Sequence, residues 1–248
     1  NTLSFNRTFG NHTLDAVGGI TYQQSTGENL NSGQAKGFIS DLYQNNNIGA
    51  AAVPAQPSSG YSDFKLVSYL GRINYNYRGK YYATITGRYD GASKFGKDNK
   101  FAFFPSAALS WNISREDFLV NSSAVSNLKL RLSYGTAGNQ AINPYQTLAT
   151  MGTAAVVLNN AQYNGFIPSS LANPGLKWET TRQFDVGVDL GLIKNRIMLT
   201  ADYYRKRTND LLLAVSLPSS SGYGSVIQNV GAVENKGFEF QLNTVNLD

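Results

Sequence analysis

Val67-Ser-Tyr-Leu-Gly-Arg-Ile-Asn-Tyr-Asn-Tyr77, the turn Arg78-Gly79 and the return Tyr81-Tyr-Ala-Thr-Ile-Thr-Gly-Arg-Tyr-Asp90 decide how this chain folds. Val67, Tyr69, Gly71, Ile73, Tyr75 and Tyr77 fall on one side of the first arm, and Ser68, Arg72, Asn74 and Asn76 on the other. The second arm repeats the division, with Tyr81, Ala83, Ile85, Gly87 and Tyr89 against Thr84, Thr86, Arg88 and Asp90. A period of two is the signature of a strand. The arms are also long: soluble strands average roughly 5–6 residues, whereas a tilted strand needs about 9–11 to cross a bilayer. One face is therefore expected to meet lipid and the other water.

Working outward, the same test predicts nine strands, at 2–9, 12–23, 63–78, 80–91, 100–113, 127–138, 177–191, 196–208 and 235–246. Leu128, Leu130, Leu132 and Tyr134 oppose Lys129, Arg131 and Ser133. Further on, Phe184, Val186, Val188 and Leu190 oppose Gln183, Asp185 and Asp189, while Phe238, Phe240 and Leu242 oppose Glu239, Gln241 and Asn243. Arg72, Arg88, Asp90, Arg131, Asp185, Asp189 and Glu239 are accordingly assigned to a polar, lumen-facing wall. Four residues of strand separate Asp185 from Asp189 by about 13 Å, too far for a glycosidase pair. Hydration of a lumen, or pairing with Arg72, Arg88 and Arg131 across strands, is the expected role. Pro105 lies inside a strand pattern and marks an edge or bulge, because proline removes a ladder donor.

The connections alternate. Short turns fall at Gly10-Asn11, Arg78-Gly79 and Leu192 to Asn195, and long loops at 24–62, 139–176 and 209–234, with a shorter loop at 92–99. Transmembrane barrels have this arrangement, with short turns on the periplasmic side and longer loops outside. The connection 114–126 is long for a periplasmic turn, and its Ser-Arg-Glu-Asp start suits the cap of one helical turn. Tyr75, Tyr77, Tyr81 and Trp111 gather at that rim, where amphipathic rings favour the headgroup level. Ligand binding concentrates on loops held by a rigid scaffold. Tyr61, Tyr145, Tyr163, Phe166 and Tyr223 are the substrate-contact candidates, as rings able to stack on sugars; packing against each other or against a partner is the alternative for each.

Composition agrees with a wall in lipid. Only 15% of the 248 residues are charged, against about 25% in ordinary globular chains, and 15 Tyr and 13 Phe accompany them. Apolar runs such as Ala154 to Leu158 fall well short of the ~18 residues of a transmembrane helix. The 21 Lys and Arg are scattered, so the net charge of +5 gives no nucleic-acid footprint. There is no cysteine for a disulfide or thiolate metal site, and His12, the only histidine, builds neither a His-based metal centre nor a catalytic triad of ordinary context. No phosphate-binding glycine loop is present, and Ser219 to Ser225 lacks the spacing of a nucleophile elbow. Asp90 to Asp98 lacks the bidentate glutamate of a calcium loop. No catalytic, metal or cofactor-binding residue is expected, and an enzyme is not the leading reading. A soluble or surface-anchored β-sandwich that binds carbohydrate or a protein partner would also alternate, with its apolar face turned inward.

Six blocks in order add a resemblance. They are Gly87-Arg-Tyr-Asp-Gly-Ala-Ser-Lys-Phe-Gly96 with Phe104-Pro-Ser106 and Trp111, Glu116-Asp-Phe-Leu119, and Leu130-Arg-Leu-Ser-Tyr-Gly-Thr-Ala-Gly-Asn-Gln140. Asn173-Pro-Gly-Leu-Lys-Trp-Glu-Thr180, Asp202-Tyr-Tyr-Arg-Lys-Arg-Thr208, and Asn229-Val-Gly231 with Asn235-Lys-Gly-Phe-Glu239 complete the series. The chain resembles the C-terminal barrel portion of the SusC/RagA family of TonB-dependent outer-membrane transporters of Bacteroidota. That resemblance implies an all-β, antiparallel transmembrane barrel of about 22 strands with a plugged lumen. It also implies a SusD-like surface lipoprotein as partner, TonB as energy source, and glycans or oligopeptides as cargo. Nine strands cannot close such a barrel, and residues 1–248 show no plug, TonB box or leader, so a partial barrel domain is expected, completed by further strands and a plug.

Overall fold

The structure is a computed structural model and describes residues 1–53 and 57–246. Its strands, in chain order, are β1 (Thr2–Phe9), β2 (His12–Asn31), β3 (Ser58–Tyr77), β4 (Tyr81–Ala92), β5 (Phe101–Asn112) and β6 (Val125–Asn139). They continue with β7 (Thr150–Leu158), β8 (Ala161–Ser170), β9 (Glu179–Leu192), β10 (Ile197–Asn209), β11 (Leu212–Ser216), β12 (Ser225–Asn229) and β13 (Ala232–Thr244). Nine of these make one sheet in the order β1-β2-β3-β4-β5-β6-β9-β10-β13, and β7-β8 and β11-β12 are separate hairpins.

Register turns the alternation into two continuous surfaces. Tyr75, Ala83, Leu109, Leu132, Val186, Tyr203 and Phe238 are successive partners across seven strands, from β3 to β13. One residue away, Asn74, Thr84, Ala108, Ser133, Asp185, Tyr204 and Gly237 form the parallel row on the other face. A one-residue slip would exchange the two surfaces, so the pattern itself fixes the register. The apolar face is bare, with Phe240 73% and Ile85 64% exposed. Leaving such a side chain in water forfeits roughly 1.5–3 kcal/mol each. Only a lipid solvent suits a face of that kind. The sandwich alternative fails here, because the nine strands form a single sheet instead of two sheets packed on a shared core.

Pro105 stays within β5. It pairs with Gly87 on β4, whereas the β5–β6 register begins one residue later, at Ser106 with Gly135. The missing N–H thus falls where the ladder toward β6 ends.

Three loop boundaries differ from the sequence reading. In place of a loop over 24–62, β2 continues to Asn31 and β3 begins at Ser58. Gln24 to Asn29 are polar or small on both faces, and Tyr61 is the one large side chain in Ser58 to Ser62, which leaves a period-two test almost nothing to read. The region 139–176 contains the β7–β8 hairpin, turned at Asn159 and Asn160, both with positive φ (51° and 59°). Asn-Asn there is the chemistry of a two-residue hairpin turn. The region 209–234 contains β11 and β12, and β13 starts at Ala232 instead of residue 235.

The chain divides into two compact units, residues 1–22 with 66–248, and residues 23–65. Within the second, Ser40 accepts the Leu42 N–H (3.1 Å) at the start of a 3₁₀ segment, Asp41–Ala50. Asp63 accepts hydrogen bonds from Gln24 (2.9 Å) and Thr26 (3.1 Å), tying the ends of β2 and β3 together.

Candidate functional site

The polar face is organised by carboxylates. Arg131 donates to both oxygens of Asp189 (2.9 and 3.0 Å) and to Asp202 (2.9 Å), and Thr200 adds a bond to Asp189 (3.2 Å). A fork of this kind is the strong form of an ion pair. Asp185 is held by Ser133 (3.0 Å) and Gln183 (2.8 Å). Arg88 grips both oxygens of Asp90 (2.7 and 2.8 Å) and donates to the fully buried Ser68 (3.1 Å). Arg72 reaches Thr86 (3.3 Å). Glu239 stands opposite Asp202 in register, on the exposed strand β13.

The expected cross-strand pairing therefore forms for Arg131 with Asp189, while Asp185 takes neutral donors and Arg88 pairs along its own strand. Asp90 has its carboxylate committed to Arg88. Asp202 is a site residue the sequence reading passed over. Its signal was present, since it alternates with Ala201 and Tyr203 within 196–208.

A groove of about 630 Å³ runs along this face, lined by Thr84, Ser106, Ser133, Gln183, Asp185 and Thr208 among others. Its hydroxyl, amide and carboxylate groups suit a hydrated, hydrogen-bonding solute.

At the loop end of the same sheet a hydrophobic core forms. Ala92, Phe95, Phe104, Ile142, Leu176 and Trp178 are buried together, with Leu66, Ala102, Leu212 and Ile227 packed against them. Trp178 contacts Phe95 and Phe104, with ring centroids 5.2 and 5.5 Å away, and donates its indole N–H to the Lys100 carbonyl (3.0 Å). Asn229 clamps Lys177 in both directions, accepting its N–H (2.9 Å) and donating to its carbonyl (2.8 Å), and donates to the Asp210 carbonyl as well (2.9 Å). Asn173 donates to Ile227 (2.8 Å) and Asn99 to Gly175 (3.2 Å). The connections after β4, β6 and β10 are thus sewn into one cap. Partial burial lowers the Lys94 pKa in this cap by desolvation.

The aromatic candidates are dispersed. Tyr61 belongs to strand β3 instead of a loop, and Tyr145 sits in a turn with φ of 69°. Tyr163 and Phe166 lie on β8 opposite Val156 and Thr153, and their odd spacing puts them on opposite faces of the hairpin. Tyr223 is half-buried next to the β11–β12 turn.

The other end of the sheet carries the rim. Rings of His12 and Tyr77 (4.8 Å), Tyr77 and Tyr81 (6.4 Å), and Tyr81 and Trp111 (6.2 Å) run side by side along the apolar face. Below them Glu116 accepts from the Tyr81 hydroxyl (2.6 Å), the Trp111 indole (2.9 Å) and the Lys80 ammonium (2.9 Å). These donors lower its pKa to about 2, Tyr81 contributing most, and Glu116 in turn raises that of Lys80. The helical turn expected at Ser114 forms at Ile113–Arg115, but Ser114 lies inside it and donates to Asn112 (2.7 Å) instead of capping backbone.

A sheet with one continuous lipid-compatible face, one ion-paired polar face and a packed cap at one end defines a stretch of transmembrane β-barrel wall. Residues 1–247 match the family described as TonB dependent receptor-like, beta-barrel. The chain belongs to that family, and its place is the cell outer membrane. Its relatives include TonB-dependent receptor P3 of Formosa agariphila, 44% identical over 247 residues, covering 100% of this chain and 25% of the relative. TonB-dependent receptor SusC of Bacteroides thetaiotaomicron is 39% identical over 184 residues, covering 72% of this chain and 18% of SusC. A solved structure of the RagAB peptide importer in a closed-closed state superposes with a TM-score of 0.88 at 30% identity, over 100% of this chain and 27% of that one. The SusC/RagA resemblance is thereby established. The siderophore receptor PirA of Acinetobacter baumannii, at 13% identity and a TM-score of 0.58 over 97% of this chain and 33% of its own, shares the fold alone. The chain spans about a quarter of the length of the curated relatives it matches.

Proposed function

We propose that the receptor to which this wall belongs imports a glycan or an oligopeptide across the outer membrane, with TonB as energy source and a SusD-like surface lipoprotein as partner. The observation that carries this reading is the opposition of the two faces: an apolar surface for the bilayer, and an ion-paired, groove-bearing surface for a wet lumen. Further strands and a plug close the barrel, and the side with short turns, at Gly10, Arg78 and Ile193, is the periplasmic one. The capped end is extracellular and holds the regions 139–176 and 209–234, and the region 24–62 is read as an extracellular segment as well. Arg72, Arg88, Asp90, Arg131, Asp185, Asp189 and Glu239 belong to the lumen wall. Tyr61, Tyr145, Tyr163, Phe166 and Tyr223 are the candidate rings for cargo, and of Tyr163 and Phe166, which face opposite ways on one hairpin, cargo takes one. The wall transports and does not catalyse.

Support for a peptide comes from the likeness to the RagAB peptide importer, and support for a glycan from the rings able to stack on sugars. Deleting the receptor gene and measuring uptake of labelled oligosaccharides and oligopeptides decides between them. Loss of uptake of one class, restored by the intact gene, is the expected result. Unchanged uptake of both, with a hydrolytic activity lost instead, would overturn the reading.

A further inference from the structure

The connection from β5 to β6 is tied to an unusual surface. Glu116 is held by Tyr81 and Trp111, which pair in register and belong with Leu130 to the apolar face. Lys80 of the adjoining turn holds Glu116 (2.9 Å) and Asp117 (3.2 Å) as well, so two of the three groups on Glu116 belong to the lipid-facing surface. The N–H groups of Leu119 (2.9 Å) and Val120 (2.8 Å) both donate to the Glu116 carbonyl, closing one helical turn. That turn holds Phe118 out at 72% exposure, with Val120 also exposed and the half-buried Leu119 between them.

Charge surrounds it. The Arg115 guanidinium lies over Gly79, where even a methyl group would collide with it, and Arg78 stands exposed on the same turn. Lys194 and Arg196 occupy the β9–β10 turn at the same end of the strands. Exposed apolar side chains beside interfacial aromatics and cations are the composition of a membrane-surface anchor.

We infer that Glu116–Val120 is an interfacial anchor seated in the phospholipid leaflet at the short-turn end of the barrel. Phe118 and Val120 enter the acyl boundary, and Arg78 and Arg115 meet headgroup phosphates. The occupant follows from continuity, because the segment extends the lipid-facing surface of Tyr81, Trp111 and Leu130, and from the cations facing an anionic surface. The inference rests on the membrane orientation of the two faces proposed above.

The test uses the full-length receptor in nanodiscs of phosphatidylethanolamine and phosphatidylglycerol, with spin labels at Asp117→Cys, Phe118→Cys and Val120→Cys. Residues 1–248 contain no cysteine to compete for label, and any elsewhere in the receptor are replaced. Labels at 118 and 120 are expected to favour collision with oxygen, and the label at 117 with a water-soluble nickel chelate. A label at 118 as open to nickel as that at 117 would overturn the anchor. So would one shielded from both reagents, which would place protein over it. Adding Glu116→Ala should raise nickel access at 118 severalfold while the barrel keeps its heat-modifiable migration; no change removes the clamp from the proposal. Labelling of Tyr223→Cys by an impermeant maleimide on intact cells reports orientation separately. Failure there with lipid-buried 118 indicts the sidedness alone, and nickel-exposed 118 with labelled 223 indicts the anchor alone.

Discussion

Arg131 on β6 reaches Asp202 on β10 by crossing over Gly187 of the strand between them. Gly187 pairs with both residues in register. A Cβ built on it meets the Arg131 guanidinium and the Asp202 carboxylate at less than contact distance. Glycine ordinarily weakens a strand. Here its missing side chain is the passage through which a cation binds acids on two neighbouring positions, Asp189 and Asp202.

Gly187→Ala should therefore destabilise the receptor, against the usual gain from replacing a strand glycine. Overpacking of this kind costs about 1–3 kcal/mol. Asp202→Ala in the same background should recover part of the loss, since the group nearest the new methyl is then gone while Arg131 keeps its fork to Asp189. Urea unfolding midpoints in detergent measure all three. A Gly187→Ala midpoint equal to or above the parent's would contradict the passage.

The cap yields a different expectation. Trp178→Ala removes a buried ring and the bond to Lys100, and large-to-small changes of that type cost about 3–5 kcal/mol. The loss is expected to fall on the connections after β4, β6 and β10, because the β3–β4 and β4–β5 ladders run on for many residues beyond the core that Trp178 joins. Hydrogen exchange should rise at residues 93–100 and 171–178 while β3, β4 and β5 stay protected. Asn229→Ala should produce a smaller version confined to Lys177 and Asp210. Uniform deprotection of the strands would show that cap and sheet unfold as one.

Much of the wall was legible in the sequence, and the reason is physical. A strand between lipid and water has one chemistry per face, so alternation in Val67 to Asp90 reports its own register. The ends of β2 and β3 were missed because Gln24 to Asn29 are polar on both sides. The cap was visible only as motif blocks. Phe95, Leu176, Trp178 and Asn229 lie far apart in sequence and meet through loops without period. The same holds for Gly187, whose role depends on two strands other than its own. Asp202 is visible in the alternation of 196–208, but its partner Arg131 lies two strands away, where no single-strand pattern points. The aromatic candidates rested on composition alone, which explains why Tyr163 and Phe166 turn out to face opposite ways.

The Glu116 clamp predicts a pH dependence. Folding lowers its pKa from the ordinary 4.5 to about 2, so its contribution is complete above about pH 4.5 and fades as pH falls toward 2. Lys80 is raised above 10.5, so its part is complete below that pH and is lost as pH rises through the folded value. The unfolding rates of the parent and Glu116→Gln should differ by a constant factor between pH 6 and about 9 and converge on acidification below about 4. A difference that persists unchanged at pH 2 would show that the variant acts through shape instead of charge.

Phe166 and Tyr163 look out from opposite faces of the β7–β8 hairpin, so cargo of the kind proposed above would stack on one of them. Phe166 is 74% exposed, against 55% for Tyr163 on the other side. An aromatic contact is worth about 0.5–1.5 kcal/mol beyond its area, which is up to about a tenfold change in affinity. Phe166→Ala in the full-length receptor is expected to weaken cargo binding by that order, and Tyr163→Ala to leave it within about twofold, by calorimetric titration. The argument is geometric: residues three apart on a strand cannot both face one ligand unless the hairpin is inserted into it. Equal losses at the two positions would mean that cargo or lipoprotein wraps the hairpin from both sides. A loss at Tyr163 alone would reverse which face looks inward, and would move the search for the remaining contacts from the Thr153 side of β7 to the Val156 side.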